Sequence, residues 1–412
     1  MRYTKIVLPY KIKNSILAVG AQSKGVFCFV KGNTAYLSDS GGDLSDLENF
    51  KKFERDIKRL QRKLKIKPMI IACDLHPEYV STKYALRTTN DDRRESRAVR
   101  QAHGASNGAE RSRSTKPRGE RRPKGVPSEA EGRTTKIQHH EAHIASCMTD
   151  NNIKGKVIGI AFDGTGFGLD GNIWGGEFFV GDIKGLKRAS HLKYIPMPGG
   201  EASIKEPWRM AFSYLYAIYG KSAIPEILTR LDKKKIDILS QMIDKKINSP
   251  LTSSMGRLFD GVSALIGICA FAGYEGEAAI ELEKMILEHG AWSTEHRKYK
   301  FGYFNEAGVV IIDWEPVIRS VVKDLKRGVK KPEISVKFHN SICDMIKEAC
   351  NLLRKRYKIG KVCMSGGVFQ NKYLSGRIKP ILEKEGFNIY VHKNIPTHDG
   401  GIALGQAVLA NL

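Results

Sequence analysis

The sequence predicts an α/β protein of two similar lobes, with its active site in the cleft between them. Two observations carry that expectation. A strand–turn–strand opening occurs near the N-terminus and again after residue 155, and alternating helices and strands follow each time. Taken alone, the pattern is equally that of two unrelated α/β domains. We place the lobes at residues 1–155 and 156–412.

In the first lobe, residues 15–19, 25–30 and 34–38 read as short strands, joined by turns at 20–24 and at Lys31-Gly32-Asn33. Residues 44–65 have apolar positions at helical spacing among Lys and Glu, so a helix is expected. An apolar run at 68–73 reads as a buried strand, and 77–86 as a short helix. In the second lobe, 156–162 reads as a strand, 164–171 as a glycine-rich turn and 172–181 as strand again. Helices are expected at 207–219, 255–271, 275–288 and 335–357, and a strand at 361–364 runs into Ser365-Gly366-Gly367.

Composition breaks sharply once. Residues 87–135 contain 11 Arg, 2 Lys and 7 acidic residues, and no Ile, Leu, Met, Phe, Tyr, Trp or Cys. Such a segment cannot bury enough apolar surface to offset its ordering entropy, so it reads as a disordered insertion. Arg-Thr-Thr stands at both ends, at 87–89 and 133–135. It ends just before Ile137-Gln138. The insertion carries +6 of the chain's net charge of +24, and the rest comes mainly from 41 scattered Lys. Scattered lysines without interleaved aromatics are a solvated face, so nucleic acid is not the expected partner. No apolar run is long enough to span a membrane, and the start of the chain has no signal-peptide core. Seven cysteines without a C-x-x-C pair argue against a disulfide framework, which suits a reducing cytoplasm.

The sharpest motif is His139-His140-Glu141-Ala142-His143. On a helix His139 and His143 lie one turn apart on one face, close enough to share a metal; surface or capping histidines are the bland alternative. Asp163-Gly164-Thr165-Gly166 follows an apolar strand, and an acid before a glycine turn suits a phosphate or a metal, or a plain hairpin. Ser365-Gly366-Gly367-Val368-Phe369-Gln370-Asn371 and Thr397-His398-Asp399-Gly400-Gly401 repeat that chemistry. Lys205 and Arg209, in a loop opening on Gly199-Gly200, are the candidate catalytic cations for a phosphate or a developing oxyanion. Asp260 in a predicted apolar helix calls for a partner such as a ribose.

Taken in order, these motifs resemble a known family. Cys73-Asp74-Leu75-His76-Pro77-Glu78-Tyr79, the histidine run, Phe162-Asp163-Gly164-Thr165-Gly166, the stretch from Gly199-Gly200-Glu201-Ala202 to Lys205-Glu206-Pro207-Trp208-Arg209-Met210-Ala211, Leu258-Phe259-Asp260-Gly261-Val262-Ser263-Ala264, Ser365-Gly366-Gly367-Val368-Phe369-Gln370-Asn371 and His398-Asp399-Gly400-Gly401 all take part. Together they look like the C-terminal catalytic module of the HypF-type carbamoyltransferases of [NiFe]-hydrogenase maturation, which is similar to the tRNA threonylcarbamoyladenosine transferases. The resemblance implies an actin-like pair of ribonuclease-H-like lobes. It implies an iron or zinc ion on His139, His143, Asp163 and Asp399, and an adenylate on Gly164, Thr165, Asp260, Gly366, Gly367 and Asn371. It implies transfer of a carbamoyl group from carbamoyl-adenylate, itself made from ATP, to the C-terminal cysteine of a maturation partner. The adenylate-forming and zinc modules that usually precede this module are absent from the sequence, so a separate protein would supply carbamoyl-adenylate. The rival expectations are transfer to tRNA or a small molecule, and a non-catalytic nucleotide-binding remnant disabled by the insertion.

Overall fold

The computed structural model describes residues 2–89, 133–221, 233–289 and 297–412. Most of the predicted insertion, residues 90–132, lies outside the described residues. Its two ends are described, and there the expectation of disorder is corrected. Arg87–Thr89 close the helix Val80–Thr89, and Arg133–Thr135 open the strand Arg133–Ile137. Both ends make contacts that the composition of the whole stretch hides. Arg87 lies over the Phe50 ring, and the Thr89 hydroxyl meets that of Thr134 at 2.5 Å. Its five residues pair in register with Ile70–Asp74.

Among the described residues the chain forms two sheets. The first has the order β2-β1-β3-β4, with β1 Tyr3–Ala18, β2 Cys28–Ser38, β3 Ile70–Asp74 and β4 Arg133–Ile137. β1 and β2 are antiparallel, while β3 runs parallel to β1 and β4 parallel to β3. The second sheet contains β5 Val157–Phe167, β6 Ile173–Asp182, β12 Lys361–Ser365 and β13 Asn388–Tyr390 in the order β6-β5-β12-β13. There β5 and β6 are antiparallel, β12 is parallel to β5, and β13 is parallel to β12. The same sequence of pairings occurs twice, which is the duplication expected from the repeated openings. β7 Gly185–Leu192, β10 Gly302–Glu306 and β11 Val309–Asp313 extend the second sheet beyond β6, and the two-residue strands β8 Ile195–Pro196 and β9 Leu251–Thr252 pair with each other, β9 also with β6.

Two turn signals resolve differently from expectation. Lys31-Gly32-Asn33 does not reverse the chain: β2 runs through it, and the ladder with β1 slips around Ile12, opposite Gly32. A bulge absorbs the glycine there without ending the strand. Likewise β5 continues through Asp163-Gly164-Thr165, with a register shift against β6 between Phe162 and Gly166. That bulge interrupts the ladder at Asp163, and the reversal comes later, where Gly168 N donates to Asn172 O.

The helix His139–Asp150 positions the site. Gln138 caps it, accepting from Glu141 N at 2.8 Å and donating from Nε2 to Phe167 O at 3.1 Å. On one side it packs on β5, where a Cβ at Gly159 would meet Ile144. On the other it crosses the C-terminal helix Ile402–Leu409 so closely that a Cβ at Gly405 would lie 1.8 Å from Ala142 O. Gly405→Ala would therefore push the two helices apart. The C-terminal helix buries Ile402, Ala403, Leu404 and Ala407 against Ile16, Ala18, Val26 and Cys28 of the first sheet. The final segment thus returns to the first sheet and brings Asp399 with it. No helix among the described residues is long and apolar enough to cross a membrane.

Candidate metal centre

Four side chains from three parts of the chain converge. His139 and His143 come from one face of the capped helix, Asp163 from the β5 bulge, and Asp399 from the short helical turn Asp399–Gly401. One ligand atom from each lies within 4.8 Å of all the others. Nε2 of His139 and of His143 stand 3.3 and 3.1 Å from Asp163 Oδ2, and both are 3.5 Å from Asp399 Oδ1. A tetrahedral ion with bonds of about 2.0–2.1 Å separates its ligand atoms by about 3.3–3.4 Å. The donor set therefore has the size of a zinc or ferrous site, and its N and O donors suit either ion.

Each ligand is held from behind. His139 Nδ1 meets Asp74 Oδ2 at 2.7 Å, with both side chains fully buried. His143 Nδ1 meets Ser365 Oγ at 3.0 Å, and that hydroxyl also reaches His392 Nε2 at 2.8 Å and Thr397 O at 3.2 Å. Asp163 Oδ1 accepts from Gly164 N at 2.8 Å and Gly367 N at 3.3 Å, leaving Oδ2 for the histidines. Asp399 Oδ2 accepts from Ser23 Oγ of the β1–β2 turn at 2.8 Å, leaving Oδ1. Fixing one atom of each group aims the other inward.

The charges are arranged to match. Burial opposes the charged form of His139, but the Asp74 charge and hydrogen bonds to Asp163 and Asp399 outweigh it and push its pKa well up. His143 is raised in the same way, against burial, by Asp163 and Asp399. Burial and the neighbouring Asp399 charge oppose ionisation of Asp163, yet both carboxyls end well below their usual range because the imidazoles hold them. His140 takes no part: burial pushes it down to about 3, and its Nε2 is buried without a partner.

The residues expected to hold an adenylate gather unevenly. Gly164 and Gly367 meet at Asp163 Oδ1, so the two glycine turns are neighbours. Gly366 adopts φ 108°, and a Cβ there would lie 2.1 Å from Phe162 O, so the turn requires glycine. Thr165 is half-buried on the bulge between Gly164 and Gly166. Asp260 is buried and pairs with Arg257 at 2.8 Å; burial lifts it to about 6 although Arg257 pulls the other way. The helix Met255–Leu265 carries this pair under Gly164, where a Cβ at Gly256 would touch Gly164 Cα. Asn371 is occupied within the fold, capping the helix Lys372–Lys384 through Leu374 N and meeting His339 Nε2 at 3.0 Å.

Lys205 and Arg209 are not brought onto the four ligands. Arg209 pairs with Glu206 at 2.5 Å beside Trp208, and Lys205 is exposed. Their loop faces His76, on which the Glu201 charge acts. Asp74, Ser365, Ser23 and His392, which back the four side chains, are not singled out as supports by spacing. Only Asp74, an acid ending an apolar strand, carried a visible signal.

Known proteins resemble this chain along nearly its whole length. Residues 159–406 match the family described as carbamoyltransferase, Kae1-like domain, second subdomain, and residues 11–150 match the HypF Kae1-like domain. Carbamoyltransferase HypF of Synechocystis is 30% identical over 417 residues, covering 97% of this chain and 48% of that protein. The tRNA N6-adenosine threonylcarbamoyltransferase of Dictyoglomus turgidum is a more distant match, 24% identical over 40% of this chain and 47% of its own. The crystal structure of full-length HypF in the phosphate- and nucleotide-bound form shares 37% identity, with a TM-score of 0.84 over 99% of this chain and 57% of that one. The chain thus spans about half the length of the curated HypF it matches. It belongs to the HypF carbamoyltransferase family, whose Kae1-like domain it carries.

Proposed function

We propose that this chain transfers a carbamoyl group from carbamoyl-adenylate to the C-terminal cysteine thiolate of a hydrogenase-maturation partner, a step toward a cyanide ligand of a [NiFe] centre. The observation that carries the reading is the convergent set of His139, His143 and Asp163, all buried, and half-buried Asp399 beside two glycine turns, in a chain of this family. A zinc or ferrous ion held by these four would supply Lewis acidity to the carbamoyl oxygen. The lobes, residues 1–155 and 156–412, would then close on the substrate, with the C-terminal helix returning to the first.

In this reading the acceptor sulfur attacks the carbamoyl carbon, the C–S bond forms, and the C–O bond to phosphate breaks to release AMP. The chain's own residues bind and orient. Gly164 and Thr165 line one side of the nucleotide and Gly366 and Gly367 the other, because the two turns meet at Asp163. Asp260, kept in place by Arg257 beneath Gly164, takes the ribose, while Asn371 acts by fixing the helix behind the turn. No cysteine of the chain is set to be the acceptor. All seven are buried, and burial pushes Cys28 and Cys343 up to about 12. The thiolate must therefore come from the acceptor partner.

The test incubates the metal-loaded chain with carbamoyl-adenylate and a peptide ending in cysteine. Equimolar AMP release and carbamoylated peptide are expected, with no product from a peptide ending in alanine. An unmodified cysteine peptide under these conditions would sink the proposal.

A further inference from the structure

The helix Met255–Leu265 begins against the β5 bulge that carries Asp163 and Gly164. Ser254 caps it, accepting from Arg257 N at 3.1 Å, and its hydroxyl also lies 2.8 Å from Asp163 O and 2.7 Å from Gly164 O. The fit is close, since a Cβ at Gly256 would stand 2.8 Å from Gly164 Cα. Arg257, in the first turn of this helix, is only 2% exposed. Its Nη2 lies 2.8 Å from Asp260 Oδ2, but Nε and Nη1 are buried without a hydrogen-bond partner among the described residues. A guanidinium has five N–H donors and cannot shed its charge, so the fold leaves this one short of acceptors. Buried donors are almost always paired in folded proteins, and the shortage needs a cause.

Its surroundings indicate where the missing acceptor would lie. A Cβ placed on Gly164 would stand 3.6 Å from Arg257 Nη2 and 3.4 Å from Glu275 Oε1. The space over this glycine is therefore bordered by a guanidinium nitrogen and a carboxylate oxygen. Gly164 N is already taken by Asp163 Oδ1 at 2.8 Å, so the backbone offers an anion no donor at this point. Arg209, a cation expected at the site from the sequence, is paired with Glu206. Arg257 is the cation that the geometry brings to the Gly164 turn.

We infer that Arg257 is the phosphate-binding cation of the adenylate site, its Nη2 meeting the phosphate over Gly164. The inference rests on the adenylate reading given above. A guanidinium is suited to the task because it stays charged when buried and gives strong charge-assisted bonds to phosphate oxygens. The Glu275 carboxylate bordering the same space keeps the hold on AMP moderate, so that the product can leave.

The test measures equilibrium binding of AMP and of adenosine to the metal-loaded full chain, to Arg257→Gln and to Gly164→Ala, with metal content read on the same samples. Losing one charged contact should weaken AMP binding about 10–100-fold in Arg257→Gln, while adenosine affinity and metal content stay unchanged. Gly164→Ala keeps the guanidinium and puts a methyl group where the phosphate would sit, at ordinary contact distance from Arg257 and Glu275. It too should weaken AMP binding and spare adenosine. Equal losses for AMP and adenosine, or loss of metal, in Arg257→Gln would show the arginine acting only as a brace for Asp260 and overturn the assignment. AMP binding equal to that of the unmodified chain in either variant would overturn it as well. If Arg257→Gln fails to fold, Gly164→Ala decides alone. If the unmodified chain binds neither AMP nor adenosine, the adenylate reading falls, and this inference with it.

Discussion

The two flanks of the histidine helix support their ligands differently. On the first-sheet flank, His139 stands on a carboxylate, Asp74 at the end of β3, and both side chains are fully buried. On the second-sheet flank, His143 stands on a neutral hydroxyl, Ser365 at the end of β12, backed by His392, which burial pushes down to about 4. β3 and β12 hold corresponding places in the two sheets, each parallel to the first strand of its hairpin. Equivalent strand ends therefore deliver an anion to one imidazole and a polar neutral group to the other. Both supports fix Nδ1 and present Nε2 inward, but only Asp74 adds negative charge, which makes His139 the more basic ligand.

The comparison is most open to challenge by removing one support at a time. Asp74→Asn keeps a partner for Nδ1 but removes the charge, and metal affinity measured by chelator competition should fall about 10–100-fold. Ser365→Ala should cost only several-fold, because no charge is lost. A loss in Ser365→Ala as large as that in Asp74→Asn would erase the distinction between the flanks.

Titration sharpens it further. Both histidines are raised in the metal-free chain, so their pairing with Asp163 and Asp399 adds stability that is fully present below an unfolded histidine pKa of about 6.5. That contribution is lost as pH rises through the folded values. Metal binding needs the neutral imidazoles, so metal affinity should rise over the same window. The Tm difference between metal-loaded and chelator-treated chain should accordingly widen from pH 6.5 to pH 9, about as far as each displaced proton's 1.4 kcal/mol per pH unit allows. A difference constant across that range would contradict the pairing. In Asp74→Asn the widening should begin at lower pH, because His139 loses its main source of elevation.

The smallest effect is expected from excising residues 91–131 and joining the ends with a short Gly/Ser linker. Thr89 and Thr134 already meet at the end of one element and the start of the next, so β4 and the helix after it need not move. Metal affinity should stay within about twofold. A larger loss would tie the insertion to the centre.

What could be read from the sequence follows from the range of the interactions. His139 and His143 are legible because one helical turn brings them together, and the glycine turns are legible because only glycine fits them. The duplicated strand pattern revealed the two sheets. Gly32 misled because a glycine in a bulge and a glycine in a reversal look alike in sequence, and only the β1 ladder decides between them. Ser23 and Ser365 owe their places to partners far along the chain, Ser23 meeting Asp399 and Ser365 meeting His143, and no local spacing encodes such contacts. Lys205 and Arg209 drew attention as cations in a glycine loop, yet Glu206, one turn before Arg209, already satisfies its guanidinium.

The central claim is that His139, His143, Asp163 and Asp399 form one metal centre. It is tested most directly by elemental analysis of the purified chain beside its His139→Ala/His143→Ala variant, with circular dichroism as the check on folding. About one equivalent of zinc or iron is expected in the first and none in the second, with unchanged helix content. Equal metal content in the two proteins would contradict it.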